Sequence, residues 1–445
     1  LALRVKQAQD FFLIIGPPGT GKTSFGLMTT LHEALLTPDA SILLLSYTNR
    51  AVDEICSKLV EEKLDFIRIG NELSCPEIYR PYLLSSAVSE CSRLAQVKER
   101  IMSGRIFVGT TTALNTSISL FRLKSFDLAI VDEASQILEP HLMGLLSAVK
   151  DNAPAIRKFV FIGDHKQLPA VVQQHSDESR VQEAALNDIL LTDCRLSLFE
   201  RLLKRYREHP EVVFMLKRQG RMHHDIADFP NRAFYAGQLT EVPLEHQQQP
   251  LPEAAPHADF FKKILTTQRI AFIAAPQPPK SPSDKVNQTE ADLIAEAVVK
   301  IYELTGSNFD VAHTVGIIVP YRNQIATIRN TLDRYGIPAL HDITIDTVER
   351  YQGSQRDYIL YGFTIQQYYQ LNFLTDTVFE EDGALIDRKL NVAMTRAREH
   401  LLLFGNPDLL SAVPTFKELL EYTQACGAYF KPSADLSDYK NIYSI

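Results

Sequence analysis

An eight-residue loop near the amino terminus restricts the fold of this chain more than any other feature: Gly16-Pro17-Pro18-Gly19-Thr20-Gly21-Lys22-Thr23. It follows the apolar run Phe11–Ile15 and precedes a helical pattern that begins at Ser24. The pattern G-x-x-x-x-G-K-[ST] between a strand and a helix is typical of a phosphate-binding loop. Its glycines let backbone N–H groups surround a phosphate, and the positive end of the following helix adds to the attraction.

The loop and a second segment together predict a site for ATP and Mg²⁺. We expect the whole of 16–24, ending in Ser24, to hold the nucleotide, with Lys22 on the β- and γ-phosphates and Thr23 on the metal. A second apolar run, Leu128–Asp132, ends in the carboxylate pair Asp132 and Glu133. The carboxyl ends of parallel strands share one edge of a sheet. We therefore expect Asp132 to hold Mg²⁺ through a water molecule and Glu133 to activate the attacking water.

Apolar runs of four to six residues alternate with helical stretches along the whole chain, which predicts a mixed α/β fold with parallel sheets. The predicted strands of the first half are Phe11–Ile15, Ser41–Ser46, Ile106–Gly109, Leu128–Asp132 and Phe159–Gly163. Those of the second half are Val212–Leu216, Ile270–Ala274, Val315–Val319, Tyr358–Phe363 and Leu401–Phe404. Two doubly wound P-loop NTPase domains in tandem are the economical interpretation.

A length of 445 residues agrees with a chain of several domains. We predict a first domain over 1–196 with a mostly helical insertion at about 60–105. The second domain is predicted over 197–445, with Leu196–Tyr206 as its first helix. Within it, 241–287 is expected to be rich in loops, and 366–384 is expected to be a second insertion.

Composition excludes several classes of protein. Hydrophobic residues make up 45% of the chain and charged residues 22%, which is ordinary for a globular protein and excludes disordered and fibrous ones. No apolar run approaches the roughly 18–20 residues of a membrane helix, so we expect no membrane span. Five widely spaced cysteines favour a reducing, intracellular location. The net charge of −8 indicates that any nucleic-acid site is a local groove.

The segment Asp132-Glu133-Ala134-Ser135-Gln136, together with the phosphate loop, resembles superfamily 1 helicases. The resemblance is strongest to the 5′→3′ group, superfamily 1B, which includes the RNA helicase of nonsense-mediated decay and the nuclease-helicase of Okazaki-fragment processing. It implies two RecA-like domains with ATP hydrolysed in the cleft between them. It also implies 5′→3′ translocation on single-stranded DNA or RNA.

The resemblance assigns roles to further residues. In Gly163–Pro169 it implies that Gln167 lies near the γ-phosphate, and in 218–223 it makes Arg221 an arginine finger. Arg396, in 390–399, would be a second finger. The resemblance places Gln355 on the ribose, although the family usually has Glu there and Tyr at the position of Gly220. Arg398 is read as structural because it lies two residues after Arg396.

Four segments are expected to contact a nucleic-acid strand because they match family motifs Ia, Ic, IVa and V. Small hydroxyl and amide side chains after strands suit a phosphate track, and aromatic side chains suit bases. The residues concerned are Thr48 and Asn49, Thr110 and Thr111, Tyr321 and Arg322, and Thr347. His223 and His224 are read as fold or groove residues because further metal-ligand spacing is missing.

Two other functions remain open at this point. The chain could be a nucleotide-switched nucleic-acid clamp or a protein-complex remodelling ATPase that separates no strands. A metabolic P-loop kinase is a weaker interpretation, because such a kinase has no use for Arg396 or Gly163–Pro169. The chain shows no nuclease motif and no cysteine set for an iron–sulfur cluster. We expect further domains of a longer chain to precede Leu1.

Overall fold

The computed structural model describes residues 1–253, 258–276, 281, 283–351 and 353–432, apart from the side chain of Ser176. The chain divides into two compact units, Leu1–Lys217 and Arg218–Ile445, called unit 1 and unit 2. Each has its own parallel sheet and its own core. The predicted α/β class with two P-loop-type domains is confirmed.

Unit 1 is built on a seven-stranded parallel sheet in the order β3-β4-β2-β5-β8-β1-β9. Its strands, with the small hairpin β6–β7, are β1 Phe11–Ile15, β2 Ile42–Ser46, β3 Ile67–Ile69, β4 Ile106–Thr110, β5 Leu128–Val131, β6 Val149–Lys150, β7 Ala153–Pro154, β8 Phe159–Gly163 and β9 Val213–Met215. Its helices are α1 Ala2–Gln7, α2 Met28–Leu35, α3 Asn49–Glu61, α4 Leu84–Ala87, α5 Leu94–Ser103, α6 Thr111–Thr116, α7 Leu120–Leu123, α8 Pro140–Leu146, α9 Ser176–Ser179, α10 Ala184–Asp188 and α11 Leu198–Tyr206. A π-helical turn spans Lys22–Leu27, and 3₁₀ turns span Glu72–Ser74, Glu77–Tyr82 and Ala134–Gln136.

The sheet of unit 1 is buried on both faces, which is why its strands read as continuous apolar runs. Side chains alternate between the faces: Leu13 packs in one core cluster, whereas Phe12 and Ile14 pack in the other. In register, Ile15 at the end of β1 lies opposite Gly163 at the end of β8. The loops after these strands therefore leave the sheet at one edge.

Unit 2 has, among its described residues, a six-stranded parallel sheet in the order β14-β13-β15-β18-β12-β19. Its strands, including the short pairs β10–β11 and β16–β17, are β10 Arg218–Gln219, β11 Thr240–Glu241, β12 Ile270–Ala274, β13 Val315–Ile318, β14 Thr344–Asp346, β15 Arg356–Gly362, β16 Phe379–Glu381, β17 Ala384–Ile386, β18 Ala397–Gly405 and β19 Tyr429–Phe430. Its helices are α12 His224–Tyr235, α13 Glu245–Gln248, α14 Phe260–Thr267, α15 Gln288–Thr305, α16 Arg322–Asp333, α17 Val348–Tyr351, α18 Leu371–Leu374, α19 Arg388–Met394, α20 Pro407–Leu410 and α21 Pro414–Ala425. Its 3₁₀ turns span Gly306–Asn308, Pro338–Leu340 and Tyr368–Gln370.

The predicted boundary between residues 196 and 197 differs from the division of the chain into compact units. The predicted helix is present as α11 and the predicted strand as β9, but both belong to unit 1. The β9 backbone pairs in parallel with β1, and the side chains of α11 pack in a unit 1 core cluster. The compact units therefore separate after Lys217.

The segments predicted as insertions contain more strand than expected. Region 60–105 includes β3, which pairs with β4 at the sheet edge, so this region is not purely helical. Region 366–384 includes most of the antiparallel pair β16–β17. Region 241–287 holds α13, α14 and β12 in addition to loops, and its residues 254–257, 277–280 and 282 lie outside the described residues. Among the described residues, none of the helices has both the length and the hydrophobicity needed to cross a membrane.

Candidate active site

The phosphate loop adopts the tight backbone that its glycines permit. Gly19 and Gly21 have φ values of +75° and +77°, in the left-handed region that side chains disfavour. A Cβ on Gly16 would lie 2.2 Å from Cγ of Lys22, so the lysine stem packs directly on this glycine. The Thr20 hydroxyl donates to the carbonyl of Pro17 at 2.7 Å and closes the loop. The helical pattern that begins at Ser24 is present, but it starts as a π-helical turn before α2.

The two predicted Mg²⁺ ligands, Thr23 and Asp132, are in contact. The Thr23 hydroxyl donates to Oδ2 of Asp132 at 2.7 Å. Asp132 is 1% exposed, and burial together with the nearby Glu133 carboxylate raises its pKa to about 6. The Thr23 hydrogen bond and the Lys22 ammonium oppose that rise. A hydroxyl beside a carboxylate is an oxygen donor set that suits Mg²⁺.

Glu133 is held by two neighbours in an unusual backbone conformation. Its φ of +51° lies in the left-handed region, which is uncommon for a non-glycine residue and recurs at functional sites. Its Oε1 lies 3.4 Å from Nζ of Lys22. Its Oε2 accepts a hydrogen bond from Nε2 of Gln136 at 3.0 Å. Gln136 therefore positions Glu133, a role that the sequence analysis did not assign to it.

The loop after β8 joins the same site through short contacts. A Cβ on Gly163 would lie 2.8 Å from the backbone nitrogen of Ser135, so only glycine allows this approach. The Asp164 amide donates to Oγ of Ser135 at 3.2 Å. Gln167 is 4% exposed and donates to Oδ2 of Asp164 at 2.8 Å. Because β8 lies between β5 and β1, Gln167 belongs to the loop that separates the two carboxylates from the phosphate loop.

In unit 2, Arg221, Gln355 and Arg396 lie in one local network. Nε of Arg221 donates to Oε1 of Gln355 at 2.8 Å, and its Nη1 donates to the Thr395 carbonyl at 3.1 Å. Arg396 is 2% exposed, and its Nε donates to the Val392 carbonyl at 3.1 Å. Both predicted fingers are thus engaged by groups of their own unit in this conformation.

Two buried glutamines, which the sequence analysis missed, shape the turn that carries Arg221. Oε1 of Gln219 accepts from the backbone N–H groups of Arg221 and Met222 at 2.9 and 2.8 Å. Nε2 of Gln247 donates to the carbonyls of Gln219 and Met222. A Cβ on Gly220 would lie 3.1 Å from Cδ1 of Leu244, so a larger residue there would press on Leu244.

Arg398 and the two histidines have other partners. Nη1 of Arg398 donates to Oδ1 of Asp357 at 2.8 Å, which agrees with a structural role. The ligand atoms of His223, His224 and Asp225 lie within 4.8 Å of one another, a possible metal group among the described residues. However, Nδ1 of His223 accepts from the Asp225 amide at the start of α12, which favours a capping role.

Two of the four unit 1 residues predicted to contact nucleic acid cap helices. The hydroxyls of Thr48 and Thr110 accept from the amides of Ala51 and Ala113 and begin α3 and α6. Asn49 is exposed, whereas Thr111 is fully buried, so its side chain is inaccessible in this conformation. The residue after the helix cap turns inward, and the contact of Thr111 with nucleic acid stays a prediction.

The unit 2 residues predicted to contact nucleic acid follow neighbouring strands. Tyr321 and Arg322 come after β13, and Thr347 comes after β14, which pairs with β13 in parallel. Arg322 is exposed, and Tyr321 and Thr347 are partly exposed. All three therefore lie at one edge of the unit 2 sheet.

The chain is similar to known proteins over most of its length. Two family models, each described as an AAA domain, match residues 1–173 and 194–408. The "DNA replication ATP-dependent helicase/nuclease JHS1" of Arabidopsis thaliana is 31% identical over 427 residues, which are 94% of this chain and 29% of that protein. The human "DNA replication ATP-dependent helicase/nuclease DNA2" is 29% identical over 448 residues, which are 94% of this chain and 38% of that protein.

Among solved structures, the "Complex structure of Arterivirus nonstructural protein 10 (helicase) with DNA" is similar with a TM-score of 0.45 and 16% identity. The similar region covers 92% of this chain and 64% of the arterivirus helicase chain. The chain spans 29–38% of the length of the two curated relatives above. With its phosphate loop, its Asp-Glu-Ala-Ser-Gln segment and both AAA-domain matches, the chain belongs to the superfamily 1 helicases as an ATPase core.

Proposed function

We propose that this chain is the motor of an ATP-dependent helicase that moves on single-stranded nucleic acid. The observation that carries the proposal is the convergence of Lys22, Thr23, Asp132 and Glu133 at one sheet edge. These residues span 112 positions of sequence from the first to the last, and the fold brings them within bonding distance. Superfamily membership supports the same function.

The chemistry is the attack of water on the γ-phosphorus of ATP, which releases ADP and phosphate. Lys22 binds the β- and γ-phosphates. To do so, its ammonium would leave the Glu133 carboxylate and bind phosphate oxygens instead. Thr23, and Asp132 through a water molecule, would hold Mg²⁺, and the ion would neutralise charge on the phosphates. Glu133, positioned by Gln136, orients the attacking water and takes its proton. Gln167 is proposed to sense the γ-phosphate, and Gln355 to bind the ribose.

Arg221 and Arg396 are proposed to supply positive charge to the γ-phosphoryl group in the transition state. In the described conformation they bind groups of unit 2. The proposal therefore requires both side chains to exchange those partners when ATP and nucleic acid are bound. Such an exchange would couple hydrolysis to a conformational change, as a two-state motor needs.

DNA is the proposed polymer, because the relatives named above are DNA replication helicase/nucleases. Movement 5′→3′ is proposed from the resemblance of the motifs to the 5′→3′ group. The proposal covers the motor alone and assigns no nuclease activity to this chain. An intracellular location and further domains in the whole protein belong to the same proposal.

A strand-displacement assay with ATP tests the proposal against a nucleotide-switched clamp or a remodelling ATPase. A motor releases the displaced strand from a duplex with a 5′ single-stranded tail, and Glu133→Gln releases none. ATP hydrolysis that is stimulated by DNA but yields no displaced strand on either tail polarity would favour the clamp.

A further inference from the structure

We propose that unit 2 carries a base-stacking platform for single-stranded nucleic acid, formed by Tyr321, Tyr368, Tyr369 and Phe373. This inference rests on the proposed function and names residues that would grip the strand. Tyr321 is predicted to contact the nucleic-acid strand because it lies in a segment that matches a family motif. The other three aromatic residues lie in the segment after β15, to which the sequence analysis assigned no role.

The order of the β-strands places the platform at the sheet edge along which the nucleic-acid strand is expected to run. The neighbours β14, β13 and β15 run parallel, so their carboxyl ends lie side by side. β14 leads to Thr347 and β13 leads to Tyr321. β15 ends at Gly362 and leads, six residues later, to Tyr368. The aromatic segment therefore leaves the same sheet edge as two segments expected to contact nucleic acid.

Three of the four aromatic side chains of the platform are largely exposed to solvent. Tyr368 is 62% exposed, Tyr369 is 60% exposed and Phe373 is 41% exposed. Three such rings within six residues form an apolar surface of a kind that marks binding sites. Aromatic rings are also the side chains on which unpaired bases stack, regardless of sequence.

The platform is held in place by specific contacts. The rings of Tyr321 and Phe373 are stacked, with centroids 5.3 Å apart and an interplanar angle of 24°. Nε2 of Gln370 donates to Oη of Tyr321 at 3.4 Å and to the Asp284 carbonyl at 2.8 Å. The Tyr369 hydroxyl donates to the Asp284 carboxylate. Tyr321, Tyr369 and Phe373, which these contacts hold, lose little entropy when a base stacks on them.

Charged side chains of both signs lie close to the platform. Nζ of Lys389 lies 4.1 Å from the centroid of the Phe373 ring and donates to the Phe373 carbonyl. Asp376 and Glu349 neutralise that buried ammonium. Arg322, directly after Tyr321 in sequence, is exposed to solvent. Exposed aromatic side chains with an exposed arginine next to them in sequence suit the bases and phosphates of a single strand.

The test compares a fluorescent oligo-dT with an abasic oligonucleotide of equal length at one salt concentration. Tyr368→Leu and Phe373→Leu remove a ring but keep apolar bulk, whereas Tyr368→Phe and Phe373→Tyr keep a ring. Leu304→Ala is a matched control, because Leu304 is 42% exposed at the end of α15. We expect each Leu variant to bind oligo-dT roughly tenfold more weakly, from the known strength of base–aromatic stacking. The Leu variants should bind the abasic strand as tightly as the unmodified protein does. The ring-keeping variants and Leu304→Ala should bind both strands with unchanged affinity.

Three results would overturn the platform. The Leu variants could bind oligo-dT as tightly as the unmodified protein. They could lose affinity for both strands equally, with unchanged melting temperatures, which would indicate a phosphate contact. The unmodified protein could bind both strands with equal affinity, which would show that bases do not stack on the rings and would favour a protein partner. Failure of the unmodified protein to bind either strand would instead contradict the proposed function itself.

Discussion

The Thr23 hydroxyl donates a 2.7 Å hydrogen bond to the Asp132 carboxylate across 109 residues of sequence. This bond joins the phosphate loop to the strand that carries the acidic pair. It also keeps a nearly buried carboxylate in contact with a donor, which lowers the cost of its charge. Several expected properties of the enzyme depend on this contact.

Thr23→Val should raise the Mg²⁺ concentration that ATP hydrolysis requires. The valine keeps the shape of threonine but removes the hydroxyl from the donor set and from Asp132. We expect the Mg²⁺ concentration for half-maximal ATP hydrolysis to rise roughly 10- to 100-fold, as for other lost metal contacts. Thr23→Ser, which keeps the hydroxyl, should stay within a few-fold of the unmodified protein. Equal Mg²⁺ dependence in both variants would show that the hydroxyl has no role at the metal.

Binding of ATP with Mg²⁺ should weaken on the acid side of pH about 6. Burial and the Glu133 carboxylate raise the pKa of Asp132 to about 6, so below that pH the side chain is protonated and loses its charge for the metal. Glu133→Gln removes the like charge, which should lower the pKa of Asp132. Titration of fluorescent ATP from pH 5 to 8 should therefore show tighter binding at acid pH in Glu133→Gln than in the unmodified protein. This coupling would be contradicted if, in Glu133→Gln, the pH at which ATP binding is half lost moved to a higher value than in the unmodified protein.

Arg221→Ala should reduce turnover much more than it changes affinity for ATP. A guanidinium that acts on the transition state contributes about 10³-fold or more to kcat. Arg398→Ala is the matched control, because Arg398 is a nearby arginine that pairs with Asp357. We expect the control to lower the melting temperature slightly and to keep kcat within a few-fold. A similar loss of kcat in both variants would remove Arg221 from the proposed role.

The stability of unit 2 should fall as the pH rises from about 5 to 8. Glu290 is fully buried and accepts hydrogen bonds from the amide and hydroxyl of Thr364. Burial raises its pKa to about 8, well above the roughly 4.3 of an unfolded chain. Between these values the folded state binds the extra proton, so stability is lost as pH rises toward 8.

Glu290→Gln isolates this effect, because the amide does not titrate. The melting temperature of Glu290→Gln relative to the unmodified protein should rise steadily from pH 5 to pH 8. A constant difference between the two proteins across this range would show that Glu290 does not change protonation on folding.

The grouping of the phosphate loop with the acidic pair was predictable from sequence, because these residues occupy adjacent positions after recognisable strands. Gly16–Thr23 and Asp132–Glu133 carry fixed spacings, and an apolar run before each one locates the sheet edge. By contrast, Gln136 and Gln247 act through hydrogen bonds whose partners depend on turn geometry. Spacing alone cannot report such contacts.

The boundary between the units and the short edge strands were not predictable for a related reason. β9 resembles any apolar run, and only its pairing with β1 assigns it to unit 1. β3 has three residues, too few for a periodic signal. The burial of Thr111 likewise depends on which way α6 turns after its cap at Thr110.

Steady-state ATP hydrolysis with poly-dT, poly-U or no polymer, at two salt concentrations, tests the central claim most directly. Glu133→Gln serves as the inactive control. The proposed motor predicts hydrolysis that rises when poly-dT is added and loses that rise at high salt, because phosphate contacts are screened. Hydrolysis at the same rate with and without either polymer, at both salt concentrations, would contradict a nucleic-acid motor.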